Sequence, residues 1–267
     1  MTIDLKAYAE RIEYRGELAP TLETLRHVHL AHATHIPFEN LEILLGRPIK
    51  LDLESLWTKM VSGGRGGYCF EQNALFAAVL EELGFRVRRL AARVRMGSKD
   101  VRPRSHMLLS VEIEGEPWLA DVGFGGEGLL HPIPLRTGEE ARNFAWVHRI
   151  TLEGPFHVLQ SLHPDGWFDL YTFTLEEQYP VDYEVANYFI STNPHSPFVN
   201  MIIVSRPDVD VRWTLMNRQL IEQRAQGTSR NTLPDDDALL EALAKRFGLR
   251  FPPGTRFRYD NSRSALA

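Results

Sequence analysis

The 267-residue sequence contains a single cysteine, Cys69, in the stretch RGGYCFEQN from Arg65 to Asn73. A thiol becomes a nucleophile as thiolate, which needs a positive field and a base nearby. Two downstream residues are of the types that supply these: His106, and Asp121, which is set between apolar neighbours. A carboxylate that holds an imidazole in one tautomer beside a thiol is a constellation for nucleophilic catalysis. The competing reading of Cys69 is a small buried core residue, which free cysteines commonly are. For His106 and Asp121 the competing reading is two polar residues on a solvated sheet face.

Next come the elements that must position these groups. Gly66 and Gly67 permit a tight approach, with positive φ one way of making it. Strong helix formers follow from Glu71 to Leu83, with apolar residues at Phe70, Ala74, Ala77, Leu80 and Leu83, and Gly84 ends the run. Cys69 therefore opens a helix, where unpaired N–H groups and the macrodipole are expected to favour negative charge on the sulfur. His106 and Asp121 fall in a predicted hairpin: His106 to Ile113, a turn at Glu114-Gly115-Glu116-Pro117, then Trp118 to Val122. Met107, Leu109, Val111 and Ile113 share one face of the first strand, matched by Trp118, Ala120 and Val122 on the second. With a two-residue turn at Glu114-Gly115, His106 lies opposite Gly123. Asp121 is then its diagonal neighbour, roughly 7–8 Å across the strands.

Upstream the chain reads as helical, with Leu5, Tyr8 and Ile12 on one face and a second helix opened by Pro20-Thr21. His27, His29, His32 and His35 along that helix read as surface or capping histidines, because no carboxylate joins them at zincin spacing and there is no HExxH. One cysteine allows neither an internal disulfide nor a cysteine-based zinc site, so no metal is expected. In IPFENLEILLG, Ile36 to Gly46, Glu39 is a carboxylate in an apolar run and needs a partner, for which Arg65 is the candidate. After Asp121 comes GFGGEG, with the GxGxxG spacing of a dinucleotide fingerprint. That fingerprint requires a helix directly after the glycines, and LLHPIPL with Pro132 and Pro134 follows instead. What remains is a loop of bare backbone at Gly125 and Gly126 that something flat or phosphorylated can approach, or else a bulged strand end.

Composition sets outer bounds. A chain with 43% hydrophobic and 24% charged residues can bury a large core and divide into two or three domains. The net charge of -5 comes without any basic run interleaved with aromatics, so nucleic acid is not an expected partner. The N-terminal MTIDLKAYAERIEY has charges where a signal peptide needs an apolar run, and no segment approaches the length of a membrane span. A lone free thiol fits the cytoplasm.

IPFENL, RGGYCFEQN, SHMLLSVEI and DVGFGG, in this order, resemble the arylamine N-acetyltransferase family. The likeness covers most of the chain to about Gly128 and is looser beyond, where STNPHSPF from Ser191 to Phe198 and FGL near Gly248 retain family character. It implies Cys69 as the acylated nucleophile, His106 as its base and Asp121 as the residue orienting the histidine. It also implies acetyl-CoA as co-substrate and an aromatic amine or hydrazine as acceptor. The implied fold is α+β: a helical domain over 1–86, an antiparallel β-barrel over 87–192, and an interdomain segment with an α/β lid over 193–267, around a cysteine-protease-like Cys-His-Asp core. By the same likeness, coenzyme A runs along the backbone of Gly125 and Gly126. Phe38 and Phe124 wall a dry slot for the amine, each being otherwise a core residue.

The remaining sequence is less specific. Alternating stretches such as His148 to Leu152 and Trp167 to Tyr171 predict more antiparallel strands, Ser191 to Phe198 a junction, and Met201 to Val204 and Val211 to Met216 two further strands. Asp235 to Asp237 cap a helix carrying Leu239, Leu240, Leu243 and Phe247, ended by Gly248. The polar tail from Asp260 to Ala267 is expected to be disordered. Three functions fit: an acetyltransferase; an amide synthase or a papain- or transglutaminase-type cysteine hydrolase using the same Cys, His, Asp order; and a non-catalytic binding protein. Water separates the first two, since a hydrolase releases acetate from acetyl-CoA without an amine and a transferase waits for one.

Overall fold

The computed structural model describes residues 3–260, so all but the first residue of the expected disordered tail lies outside the described residues. The chain opens with α1 (Leu5–Arg11), capped by the Asp4 carboxylate, and α2 (Leu22–His35), capped by the Thr21 hydroxyl. A two-residue strand β1 (Phe38–Glu39) and the single turns α3 (Leu41–Leu44) and α4 (Leu53–Leu56) follow, α4 running on as a π-helical stretch over Trp57–Ser62. Then comes α5 (Cys69–Glu82), closed by Gly84 at φ +91° as its glycine predicts. Phe70, Leu75, Phe76, Ala77, Val79 and Leu80 are all buried, so α5 is sunk in the core and not merely amphipathic.

Eight antiparallel strands come next: β2 (Arg86–Val94), β3 (Arg104–Ile113), β4 (Glu116–Ala120), β5 (Ile133–Pro134), β6 (Glu140–Asn143), β7 (Trp146–Glu153), β8 (Phe156–His163) and β9 (Gly166–Phe173). Their order is β5-β4-β3-β2-β9-β8-β7-β6, a nearly closed barrel whose two edge strands are joined by residues 135–139, where Thr137 bridges to Ile150. The β3–β4 hairpin has the expected register, with Leu109 opposite Ala120 and Val111 opposite Trp118. Glu114 (φ +52°) and Gly115 (φ +83°) supply the two left-handed residues that such a tight turn needs. One hairpin face, Met107, Leu109, Val111, Ile113, Ala120 and Val122, packs on the helical core. The other face is not solvated, because Leu108 and Leu119 join Leu90, Leu159, Leu170 and Tyr171 inside the barrel.

A helix not anticipated from sequence, α6 (Pro180–Thr192), starts on Pro180 and buries Tyr183, Asn187 and Ile190. After the short α7 (Pro197–Asn200) the chain builds β10 (Ile203–Pro207), β11 (Arg212–Met216), β12 (Gln219–Arg224), β13 (Gly227–Thr232) and α8 (Asp236–Phe247). Asp235 caps α8 and Gly248 ends it at φ +71°. These strands form a second sheet ordered β1-β10-β11-β12-β13, so the lid takes its edge strand from the start of the chain. Among the described residues no helix is long and apolar enough to cross a membrane.

Candidate active site

The approach to Cys69 is fixed by backbone pairing. Glu39 N donates to Gly67 O at 3.0 Å and Gly67 N to Pro37 O at 3.3 Å, which lays residues 65–67 against the segment of β1. Of the two uses open to these glycines, the close approach is the one made, for neither lies in the left-handed region. A Cβ on Gly66 would stand 2.0 Å from Pro37 O, and one on Gly67 2.8 Å from Glu71 Cβ. The expected Glu39–Arg65 pair is present at 2.6 Å, and Arg65 also reaches Glu42 at 2.8 Å. Glu71, in the first turn of α5, accepts from Tyr68 N at 3.0 Å and pairs with Lys59 at 2.7 Å. The loop is thus held rigid on both sides of the thiol.

Cys69 is the first residue of α5 and is 4% exposed. Its Sγ donates to Ser105 O at 3.6 Å, and the thiol group stands close enough to the His106 ring to help raise that imidazole's pKa. His106 Nε2 meets Asp121 Oδ2 at 2.7 Å, which leaves Nδ1 for the sulfur. The cross-strand diagonal read from the hairpin is therefore a direct hydrogen bond. Burial disfavours the imidazolium, yet the charge and hydrogen bond of Asp121, aided by Cys69, outweigh it and push the His106 pKa up to about 10. Burial likewise disfavours the Asp121 carboxylate, but His106, Asn73 and the Gly123 N–H hold its pKa below the ordinary value. Near neutral pH the site thus holds a protonated imidazole between the Asp121 carboxylate and the Cys69 sulfur.

Several residues that complete the site were not singled out from sequence. Asn73, one helical turn beyond Cys69, donates to Asp121 Oδ1 at 2.9 Å and to Met107 O at 2.7 Å, and accepts from Val122 N at 3.2 Å. Its i+4 spacing from Cys69 was the available signal. Tyr171 OH donates to Asp121 Oδ2 at 2.9 Å and Gly123 N to Oδ1 at 3.0 Å, so both carboxylate oxygens are saturated. No local pattern marks Tyr171, which arrives from β9.

The histidines of α2 correct the sequence reading, because His29 and His32 are fully buried, not surface or capping residues. His29 Nε2 accepts from Asp121 N at 3.1 Å, so its Nδ1 must carry the proton that goes to Leu130 O at 3.0 Å. Burial lowers its pKa to about 4, which keeps it neutral. His32 bridges Tyr8 OH at 2.6 Å and Gln72 Oε1 at 2.7 Å, while Gln72 Nε2 donates to Ile36 O and Pro37 O just ahead of Phe38. Among the described residues no group of three or more His, Cys, Asp or Glu could hold a metal ion.

The GFGG turn is followed by no helix, in line with rejection of the dinucleotide fingerprint. Its bare backbone faces partners already in place. A Cβ on Gly125 (φ +85°) would meet Ser205 Oγ at 2.6 Å and Phe38 Cγ at 3.4 Å, and one on Gly126 would meet Thr214 Oγ1 at 3.0 Å. Gly123 faces α5, its Cβ position 2.9 Å from Cys69 Cα. Phe124 is half-buried with its ring edge-on to His106 at 5.1 Å and to Tyr171 at 5.0 Å. Phe38 is 7% exposed and lies 6.0 Å from the Phe198 ring.

Known proteins match this chain along nearly its whole length. A family model described as N-acetyltransferase matches residues 21–255. An arylamine N-acetyltransferase of Mycobacterium tuberculosis is 41% identical over 255 residues, covering 93% of this chain and 90% of the relative. One of Escherichia coli is 41% identical over 253 residues, with the same shares of 93% and 90%. The solved structure of Mycobacterium marinum arylamine N-acetyltransferase in complex with CoA superposes with a TM-score of 0.88 at 41% identity, covering 92% of each chain.

Proposed function

The chain belongs to the arylamine N-acetyltransferase family, and we propose that Cys69, His106 and Asp121 carry an acetyl group from acetyl-CoA to an arylamine through a thioester on Cys69. The observation that carries this reading is His106, bonded to Asp121 through Nε2, with the chain's single cysteine close enough on its other side to raise its pKa. Cys69 attacks the acetyl carbonyl as thiolate, its proton resting on His106, and the tetrahedral adduct collapses by breaking the carbon–sulfur bond to coenzyme A. The departing thiolate takes the His106 proton. Exchange of one thioester for another costs little, so the acyl-enzyme stays reactive. An amine then attacks the same carbonyl, neutral His106 accepts its proton, and Cys69 leaves as thiolate, which restores the starting pair. The oxyanion of each step is held by the Cys69 N–H, which at the first position of α5 has no acceptor within the helix.

Phe124, against His106, and Phe38, behind it, are the proposed walls of the amine slot. Coenzyme A is proposed to run along Gly125 and Gly126 on the side not taken by Ser205 and Thr214. Arylhydrazines present the same nucleophilic nitrogen and are proposed acceptors too. The cytoplasm is the proposed compartment, since it keeps a lone thiol reduced.

Mass spectrometry of the protein mixed with acetyl-CoA alone tests this. A one-acetyl gain on the Cys69 peptide, discharged by an arylamine or arylhydrazine, is expected. Cys69→Ala should abolish it and His106→Ala should slow it on the order of 100-fold or more. Steady acetate release that ignores added amine would favour the hydrolase instead.

A further inference from the structure

We propose that Glu127 and Arg212 form a positioning latch that seats Phe124 beside the acetylated Cys69 and keeps water from it, a reading that rests on the thioester route above. Glu127 stands three residues beyond Phe124, across a turn closed by Gly128 N to Gly125 O at 2.9 Å. Its Oε2 accepts from Arg212 Nη1 of lid strand β11 at 2.9 Å, and from Ser161 Oγ and His163 Nε2 of barrel strand β8 at 3.1 and 3.3 Å. Its main-chain carbonyl accepts from His148 Nε2 of β7 at 3.1 Å. One residue thus ties the turn to two barrel strands and to the lid.

The cost of this arrangement argues for a purpose other than stability. Arg212 is 2% exposed, with its guanidinium 3.8 Å above the Trp146 ring, and its Nε and Nη2 meet no acceptor among the described residues. Desolvating such a cation is expensive, and a single carboxylate contact returns only part of the loss. Burial opposes the Glu127 charge as well, but His163 and Arg212 overcome it and hold the carboxyl down to about 2, so the latch stays charged across the neutral range. What the pair fixes is position. Gly125 and Gly126 are pressed on Ser205 and Thr214, so a shift of β11 passes directly to Phe124 and from there to the His106 ring. A thioester that must await an amine needs that wall seated, because water reaches any gap first.

The test compares wild type with Glu127→Gln and with the double variant Glu127→Gln, Arg212→Met, in which no charge is left stranded. Acetyl-Cys69 is formed with acetyl-CoA, excess donor is removed, and loss of the acetyl group is followed with and without an arylamine, alongside thermal unfolding. We expect both variants to raise the ratio of hydrolysis to aminolysis by roughly tenfold, the double variant doing so with a melting temperature close to that of wild type. A purely structural pair would move the melting temperature and leave that ratio alone. An unchanged ratio in the folded double variant overturns the latch while wild-type acetyl-Cys69 still forms; failure of wild type to acetylate Cys69 overturns the thioester route and the latch together.

Discussion

Asp121 is ionised in a fully buried position because every lone pair it turns inward is used: His106 and Tyr171 occupy one oxygen, Asn73 and Gly123 N–H the other. Asp121→Asn keeps the shape but removes the charge that lifts the His106 pKa. The imidazolium is then expected to titrate well below 10 by NMR, and turnover to fall about 100-fold or more. Asn73→Ala removes one of the two donors to Asp121 Oδ1, the donor to Met107 O and the acceptor of the buried Val122 N–H, which should cost roughly 2–3 kcal/mol in urea unfolding. His29 supplies a pH signature. Its folded pKa, lowered to about 4, lies under the unfolded value of 6.5. Between those values the unfolded chain binds a proton that the native site refuses. Its stabilising contribution is therefore complete above pH 6.5 and is lost as pH falls toward 4, on the order of 3 kcal/mol in all. His29→Gln still offers an acceptor to Asp121 N–H and cannot titrate, so its urea midpoint should fall less steeply over that range.

At the scale of elements, α5 delivers Cys69 and Asn73 from successive turns of one face, and the hairpin delivers His106 and Asp121 from adjacent strands. The register of that hairpin rests on two left-handed residues at Glu114 and Gly115, and a slip by one residue would turn His106 away from the carboxylate. The loop before α5 depends on close approach instead. Gly66→Ala puts a methyl group 2.0 Å from a backbone carbonyl, and an expected loss of more than about 3 kcal/mol should appear as a low yield of folded protein. Gly64→Ala is the contrasting case. Nothing stands within 4 Å of its Cβ position and only the φ of +64° is strained, so about 1 kcal/mol is expected by the same measurement.

At the scale of the whole molecule, the lid is stitched to the N-terminal region. β1 pairs with β10, and the Asn40 side chain donates to Phe198 O at 2.8 Å and Met201 O at 2.7 Å while accepting from Ile203 N at 2.9 Å. Tyr68, the residue before the thiol, also hydrogen-bonds Asn187 of α6. Asn40→Ala should therefore loosen the lid more than the barrel. Faster hydrogen exchange in β10 and β11 with unchanged protection in β3 is the expected pattern, and uniform loss of protection would contradict it.

Cys69 at a helix start, the β3–β4 register, the Glu39–Arg65 pair and the capped α8 were all legible in the sequence, because each depends on neighbours a few residues away or on charge need in an apolar run. The barrel's closure, the α6 helix, the use of β1 by the lid and the burial of His29 and His32 were not, since a two-residue strand has no periodicity and a histidine does not announce its partner. Residue types and their spacing along the chain pointed to Cys69, His106 and Asp121 as the candidate groups. Packing between distant segments decided how each is charged: Tyr171 and His29 come to Asp121 from β9 and α2, and whether a buried carboxylate or imidazole carries charge is set by the dipoles that surround it, which only the folded chain brings together.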